Sequence, residues 1–135
     1  YQQLQVVTRL VKDLNFDIEI VGGPTVREAD GLAMSSRNAY LTQEERPQAT
    51  CLVSGLRAAW RLFDGGEREA APLLAAVRAE VASRPDARED YIELRDAETL
   101  APVERIDERA VLALAVFLGK ARLIDNTVLG GEHRP

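Results

Sequence analysis

A chain of 135 residues that is 46% hydrophobic and carries a formal charge of -5 falls in the ordinary globular class, with apolar material for one core and room for a second part. Its 22 acidic against 17 basic side chains exclude a dedicated duplex-binding surface, and no apolar run is long enough to read as a bilayer span, which leaves small anionic ligands open. Cys51 is the single thiol, so no internal disulfide can form, and with no leader-like opening the compartment that fits best is a reducing cytoplasm.

In "YQQLQVVTRLVKDL" the residues Leu4, Val7, Leu10, Val11 and Leu14 recur at helical spacing, which predicts an amphipathic helix. The segment is strongly patterned from its first residue, Tyr1, and this predicts a piece of something longer. After Asn15, "FDIEIVGGP" alternates Phe16, Ile18 and Ile20 before Gly22, Gly23 and Pro24, the pattern of a short strand running into a loop. One helix and one strand cannot cover both faces of a parallel sheet. The remaining strands are therefore expected upstream of Tyr1.

At "TQEE" the Thr42 hydroxyl and the Glu45 carboxylate are spaced to satisfy each other's backbone amides, so a helix starts there. Ala49, Leu52, Val53, Leu56, Trp60 and Phe63 form its apolar stripe, and "DGG" from Asp64 supplies the stop. Pro47 within the first turns predicts either a kink or a short turn followed by a helix that begins with Pro47. A second amphipathic helix is expected from Glu67 to Ala82, its start delayed by Pro72. Three strand-like runs come next, "DYIELRD", "AVLALAVFL" and "ARLIDNTVL", the last two separated by Gly119 and Lys120 as in a tight hairpin, and "GGEHRP" reads as a tail.

The expected fold class is therefore α+β: a C-terminal domain of two helices and a three-stranded antiparallel sheet, preceded by the last helix-strand unit of an α/β domain. The boundary is placed near Asn38, giving residues 1–38 and 39–135.

The candidate site is the loop "READGLAMSSRNAYLTQEER", Arg27 to Arg46. A loop between a strand and a helix leaves amide hydrogens unpaired, and the Ser35 and Ser36 hydroxyls with the Arg37 guanidinium would add donors suited to phosphate oxygens. Gly31 permits a positive φ and hence a sharp turn. The same residues also suit a local turn capped by Ser35 and Ser36 with Arg37 paired to Glu28 or Asp30. Spacing alone does not separate the two.

This stretch resembles the signature of the pantoate-β-alanine ligase family. "YQQL" is similar to the end of that family's Gly-Glu-Lys-Asp-x-Gln-Gln motif, "FDIEIVGGPTVR" to its following strand, and "YIELRDAETL" and "ARLIDN" to segments of its C-terminal domain. The resemblance implies a Rossmann-like nucleotide-binding domain ending in residues 1–38 and a C-terminal lid in 39–135. It implies a ligase in which pantoate attacks the α-phosphate of ATP, giving pantoyl adenylate and pyrophosphate, after which the β-alanine amine displaces AMP to give pantothenate, a coenzyme A precursor. In the family the serine-arginine loop is similar to the KMSKS loop of class I aminoacyl-tRNA synthetases. Carried over, Val26, Met34, Ser35, Ser36 and Arg37 would bind ATP, Ser36 and Arg37 would act in catalysis, and Gln3 would bind pantoate.

The acidic balance and the lack of a bilayer span predict no nucleic-acid or membrane partner; Mg²⁺ is expected to be carried in with ATP, and the resemblance implies a homodimer formed through an N-terminal domain upstream of Tyr1. The family's HxGH-type motif and its Lys-Asp pair would also lie there, so the chain by itself is expected to be inactive. Other candidates read as structure: Trp60 and Phe63 as core, Cys51 as a small residue at the core edge, Lys120 as a hairpin charge and His133 as a solvated tail residue. Asp30, Asp96 and Asp125 have no metal-ligand spacing. Two further readings remain beside the ligase, a different nucleotidyltransferase of the HxGH superfamily and a non-catalytic folding or interaction module spanning Asn38 to Pro135.

Overall fold

The computed structural model describes residues 1–135. The element order is α1 (Gln2–Asp13), a 3-10 turn (Ser36–Tyr40), α2 (Glu45–Gln48), α3 (Cys51–Asp64), α4 (Ala70–Ala82), β1 (Ala87–Asp96), β2 (Ala110–Leu118) and β3 (Ala121–Leu129). The strands form one antiparallel sheet in the order β1-β2-β3, so the α+β expectation holds for the downstream half. Leu118 pairs with Ala121 across Gly119 and Lys120, the expected two-residue hairpin.

One face of the sheet carries the core. Ile92 and Leu94 of β1, Leu112, Leu114, Val116 and Leu118 of β2, and Leu123 and Leu129 of β3 are buried with Leu52, Leu56 and Trp60 of α3 and Leu73 and Val77 of α4. The two helices lie close enough that a Cβ built on Gly55 would stand 2.8 Å from Val77 Cγ1. Cys51 sits fully inside this core rather than at its edge, and burial pushes its thiol up to about 11. Trp60 donates its indole N–H to Thr127 Oγ1 at 2.8 Å and meets the Phe63 ring edge-on, with centroids 5.7 Å apart.

The capping box forms as expected: the Thr42 amide donates to Glu45 Oε2 at 2.9 Å, and the Glu45 amide donates to Thr42 Oγ1 at 3.2 Å. The helix it starts is only α2, which contains Pro47 rather than beginning with it. Thr50 Oγ1 donates to the Pro47 carbonyl at 2.7 Å, the Cys51 amide makes no bond to that oxygen, and α3 begins afresh there. The second helix starts at Ala70, three residues after the expected Glu67, because residues 67–70 run extended against 104–106, with Ala70 N–H donating to Glu104 O and Ile106 N–H to Arg68 O.

The upstream part departs further from expectation. The helix forms as α1, but it buries no residue, and Phe16, Ile18 and Ile20 form no strand. A parallel strand exists only against neighbours that take its amides and carbonyls. Nothing in these 135 residues supplies such a ladder, and Ile18 is 59% and Val21 79% exposed. Two contacts tie α1 down: Tyr1 Oη donates to Ala97 O at 2.7 Å, and Leu4 lies against Gly22.

The segment read as a tail is held in place. Arg134 pairs with Asp64 and lies over the Trp60 ring at 4.9 Å, while His133 is exposed.

Gly55→Ala is expected to force Val77 outward and destabilise the chain by about 1–3 kcal/mol in denaturant unfolding. Shortening the neighbour in the double variant Gly55→Ala/Val77→Ala should remove the clash, so the two changes will be non-additive.

Candidate anion-binding loop

Residues 26–34 fold back on themselves as a narrow hairpin. Arg27 bridges Ala33 antiparallel, the Met34 amide donates to Val26 O at 2.9 Å, and the Glu28 amide donates to Leu32 O at 2.8 Å. The bend falls at Gly31, whose φ of 93° is one that side chains disfavour. A Cβ there would also approach Arg57 Nη2 to 3.1 Å, since the bend rests on α3. Leu32, directly after it, is buried and joins the main core.

Three polar ties hold the hairpin. Arg46, projecting from α2, donates to both Glu28 (2.7 Å) and Asp30 (2.5 Å). Asn38 Nδ2 donates to Glu28 Oε1 at 2.6 Å and to Ala33 O at 3.1 Å. Arg27 reaches across to β3 and pairs with Asp125 through both guanidinium nitrogens, at 2.7 and 3.1 Å. These bonds shift both carboxylates: Glu28 is held below the usual carboxylate range by the Asn38 amide and then Arg46, and Asp30 by Arg46.

Beyond the hairpin, Ser35 is extended and its Oγ accepts from the Arg37 amide at 3.2 Å, which starts the 3-10 turn. The alternative reading of the sequence is thus half met. Ser35 caps a turn, but Arg37 pairs with neither Glu28 nor Asp30, because Arg46 occupies both. The Arg37 guanidinium and the Ser36 hydroxyl make no hydrogen bond to the rest of the chain and are exposed beside Met34.

Val26 lies opposite Met34, so those two candidates are joined directly. Its side chain is 66% exposed, its N–H is unpaired, and its carbonyl retains a second lone pair. Gln3 is elsewhere. It is exposed on α1 and lines a cavity of about 550 Å³ over the second face of the sheet, with Tyr91, Glu93 and Arg95; none of Val26 or Met34–Arg37 borders that cavity. The structure therefore groups Val26, Met34, Ser35, Ser36 and Arg37 and does not bring Gln3 to them. No three His, Cys, Asp or Glu side chains converge here in the manner of metal ligands.

Sequence reasoning did not single out Leu32, Arg46 or the Arg27–Asp125 pair. The last had a visible signal: the inward positions of β3 read Leu123, Asp125, Thr127, Leu129, and a carboxylate in such a row needs a partner.

Because Glu28 and Asp30 ionise more readily when folded, they stabilise the hairpin at pH values above the ordinary carboxylate range, and that contribution is lost as pH falls through their depressed values. Hydrogen exchange of residues 27–34 should therefore accelerate relative to the β2 amides as the pH is lowered from about 5 to about 3, after correction for intrinsic exchange. The double variant Asn38→Ala/Arg46→Met is expected to lose this pH dependence.

The family model described as pantoate-beta-alanine ligase matches residues 1–128. The chain is 55% identical over 135 residues to the pantothenate synthetase of Myxococcus xanthus (strain DK1622), covering 98% of this chain and 46% of that protein. It is 54% identical over 133 residues to that of Geobacter sulfurreducens, covering 98% and 47%. The crystal structure of pantothenate synthetase from Thermus thermophilus superposes with a TM-score of 0.88 at 43% identity, over 94% of this chain and 46% of that one. The pantoate-beta-alanine ligase of Francisella tularensis, solved with beta-gamma ATP and beta-alanine, superposes with a TM-score of 0.56 at 25% identity, over 98% and 41%. The chain spans about half the length of the curated relatives it matches.

Proposed function

The chain belongs to the pantoate-β-alanine ligase family, and from that premise we propose that it is the part of an ATP-dependent ligase that holds the nucleotide's polyphosphate and covers the reacting centre. The parent would condense pantoate with β-alanine through pantoyl adenylate, releasing pyrophosphate and then AMP.

The observation that carries this reading is the unpaired Arg37. Arg46 consumes the two nearby carboxylates, leaving Arg37 and the Ser36 hydroxyl free at a fixed turn. Attack on the α-phosphate spreads negative charge over its oxygens, and donors already held in place stabilise that charge without reorganising. Arg37 would supply two parallel charge-assisted bonds and Ser36 a hydroxyl. The Val26 N–H and carbonyl edge, next to Met34, would meet the adenine. Gln3 would offer pantoate both a donor and an acceptor once the other half of the protein joins α1 to the loop. Magnesium enters here only as the counter-ion of ATP. Residues 1–38 would close the nucleotide-binding domain and 39–135 would form the lid that shields the acyl adenylate from water. We place the parent in the cytoplasm as a homodimer joined through its N-terminal domain.

One observation favours a second, compatible reading as a self-sufficient folding module: the core draws only on residues from Leu32 to Leu129. A different nucleotidyltransferase of the same superfamily is disfavoured by the family match over residues 1–128.

In the full-length enzyme, Arg37→Ala is expected to slow adenylate formation about 100- to 1,000-fold, with a smaller effect on the attack of β-alanine. Single-turnover measurement of the two steps checks this, and equal losses in both would remove the phosphate role from Arg37. The 135-residue chain alone, given ATP, pantoate and β-alanine, should release no AMP.

A further inference from the structure

On the core face of β3, Asp125 stands opposite Leu114 of β2, and its side chain is 1% exposed. A carboxylate in such a place is tolerable only with a cation and further hydrogen bonds around it. The cation comes from 98 residues earlier in the chain. Arg27, 16% exposed, gives one bond to each carboxylate oxygen and a third, from Nη1, to Gly31 O at 3.0 Å. Asp125 Oδ1 also accepts from the Asn126 amide at 2.8 Å. One guanidinium thus joins the first arm of the hairpin, its bend and the edge strand of the sheet.

The other ties point the same way. Leu32 lies in the core shared by α3, α4 and the sheet, and Arg46 clamps Glu28 and Asp30 from α2. The 3-10 turn carrying Ser36 and Arg37 lies against β3. Upstream the connection is slight: residues 16–25 have no regular structure, and α1 buries nothing.

We propose that Arg27 and Asp125 are positioning residues whose buried ion pair fastens the 26–38 loop to the C-terminal sheet and so fixes where Met34, Ser35, Ser36 and Arg37 stand. This rests on the reading of the loop as the polyphosphate site.

The test uses the paired apolar replacement Arg27→Met/Asp125→Leu, which keeps the space filled and leaves no lone buried charge. In the 135-residue chain, hydrogen exchange should show α3 and β2 protected as before while the amides of Glu28 and Met34 exchange about tenfold faster or more. Unchanged protection at those amides overturns the proposal. In the full-length enzyme the same pair should slow adenylate formation about 10- to 100-fold and raise the KM for ATP, while attack of β-alanine on supplied pantoyl adenylate keeps its rate. The charge-exchanged pair Arg27→Asp/Asp125→Arg should recover part of the loss. Equal damage to both steps, or none, overturns the positioning role. Arg37→Ala run alongside separates the two ideas. If it leaves adenylate formation intact, the polyphosphate reading fails while the fastening still stands on the exchange result; if it alone is damaging, the fastening fails.

Discussion

A carboxylate pointing into an apolar core is the constraint on which the arrangement of this chain depends. Asp125 occupies a position that its neighbours in β3 fill with leucine and threonine, and it is tolerated because Arg27 arrives with both arms of its guanidinium. That requirement reaches back across most of the chain and pins a loop that otherwise has only one apolar anchor, Leu32. With the hairpin pinned, Arg46 can take up Glu28 and Asp30, and Arg37 is left without a protein partner. The free cation at the turn is thus a consequence of how the other charges are spent.

The pinning needs a rigid partner, which the sheet provides. β2 is buried on both faces along most of its length, and β1 and β3 pair with it through nearly every residue apart from one irregularity between Glu89 and Tyr91. The helices close over one face, with Gly55 allowing α3 to approach Val77 of α4. Side chains fixed to such a body keep their relative geometry when the body moves, which is what a set of donors aimed at a developing charge requires.

Local regularities were legible from the sequence. The 3.6-residue spacing of α1 and α3, the three strand-like runs, the reciprocal cap of Thr42 and Glu45 and the two-residue hairpin at Gly119 all depend on residues close in the chain. The strand expected at Phe16–Ile20 failed for a corresponding reason: alternation says which side chains share a face, but a strand needs backbone partners, and none are present in these residues. At the site, the serine-arginine turn was legible as a cluster of donors, and the choice of Arg46 over Arg37 as partner to the acids was not. That choice depends on where the four-residue α2, ending at Gln48, places Arg46. The Arg27–Asp125 pair showed only its unexplained half, an aspartate out of place in an apolar row.

The single tryptophan stands where three parts of the chain meet. Its N–H is held by β3, its ring borders Phe63 within α3, and Arg134 covers it from the C-terminal segment. Its fluorescence is consequently a built-in gauge of whether the sheet, the helix and that last segment are still seated together. A red shift in its emission would register their separation in a chain carrying no added label.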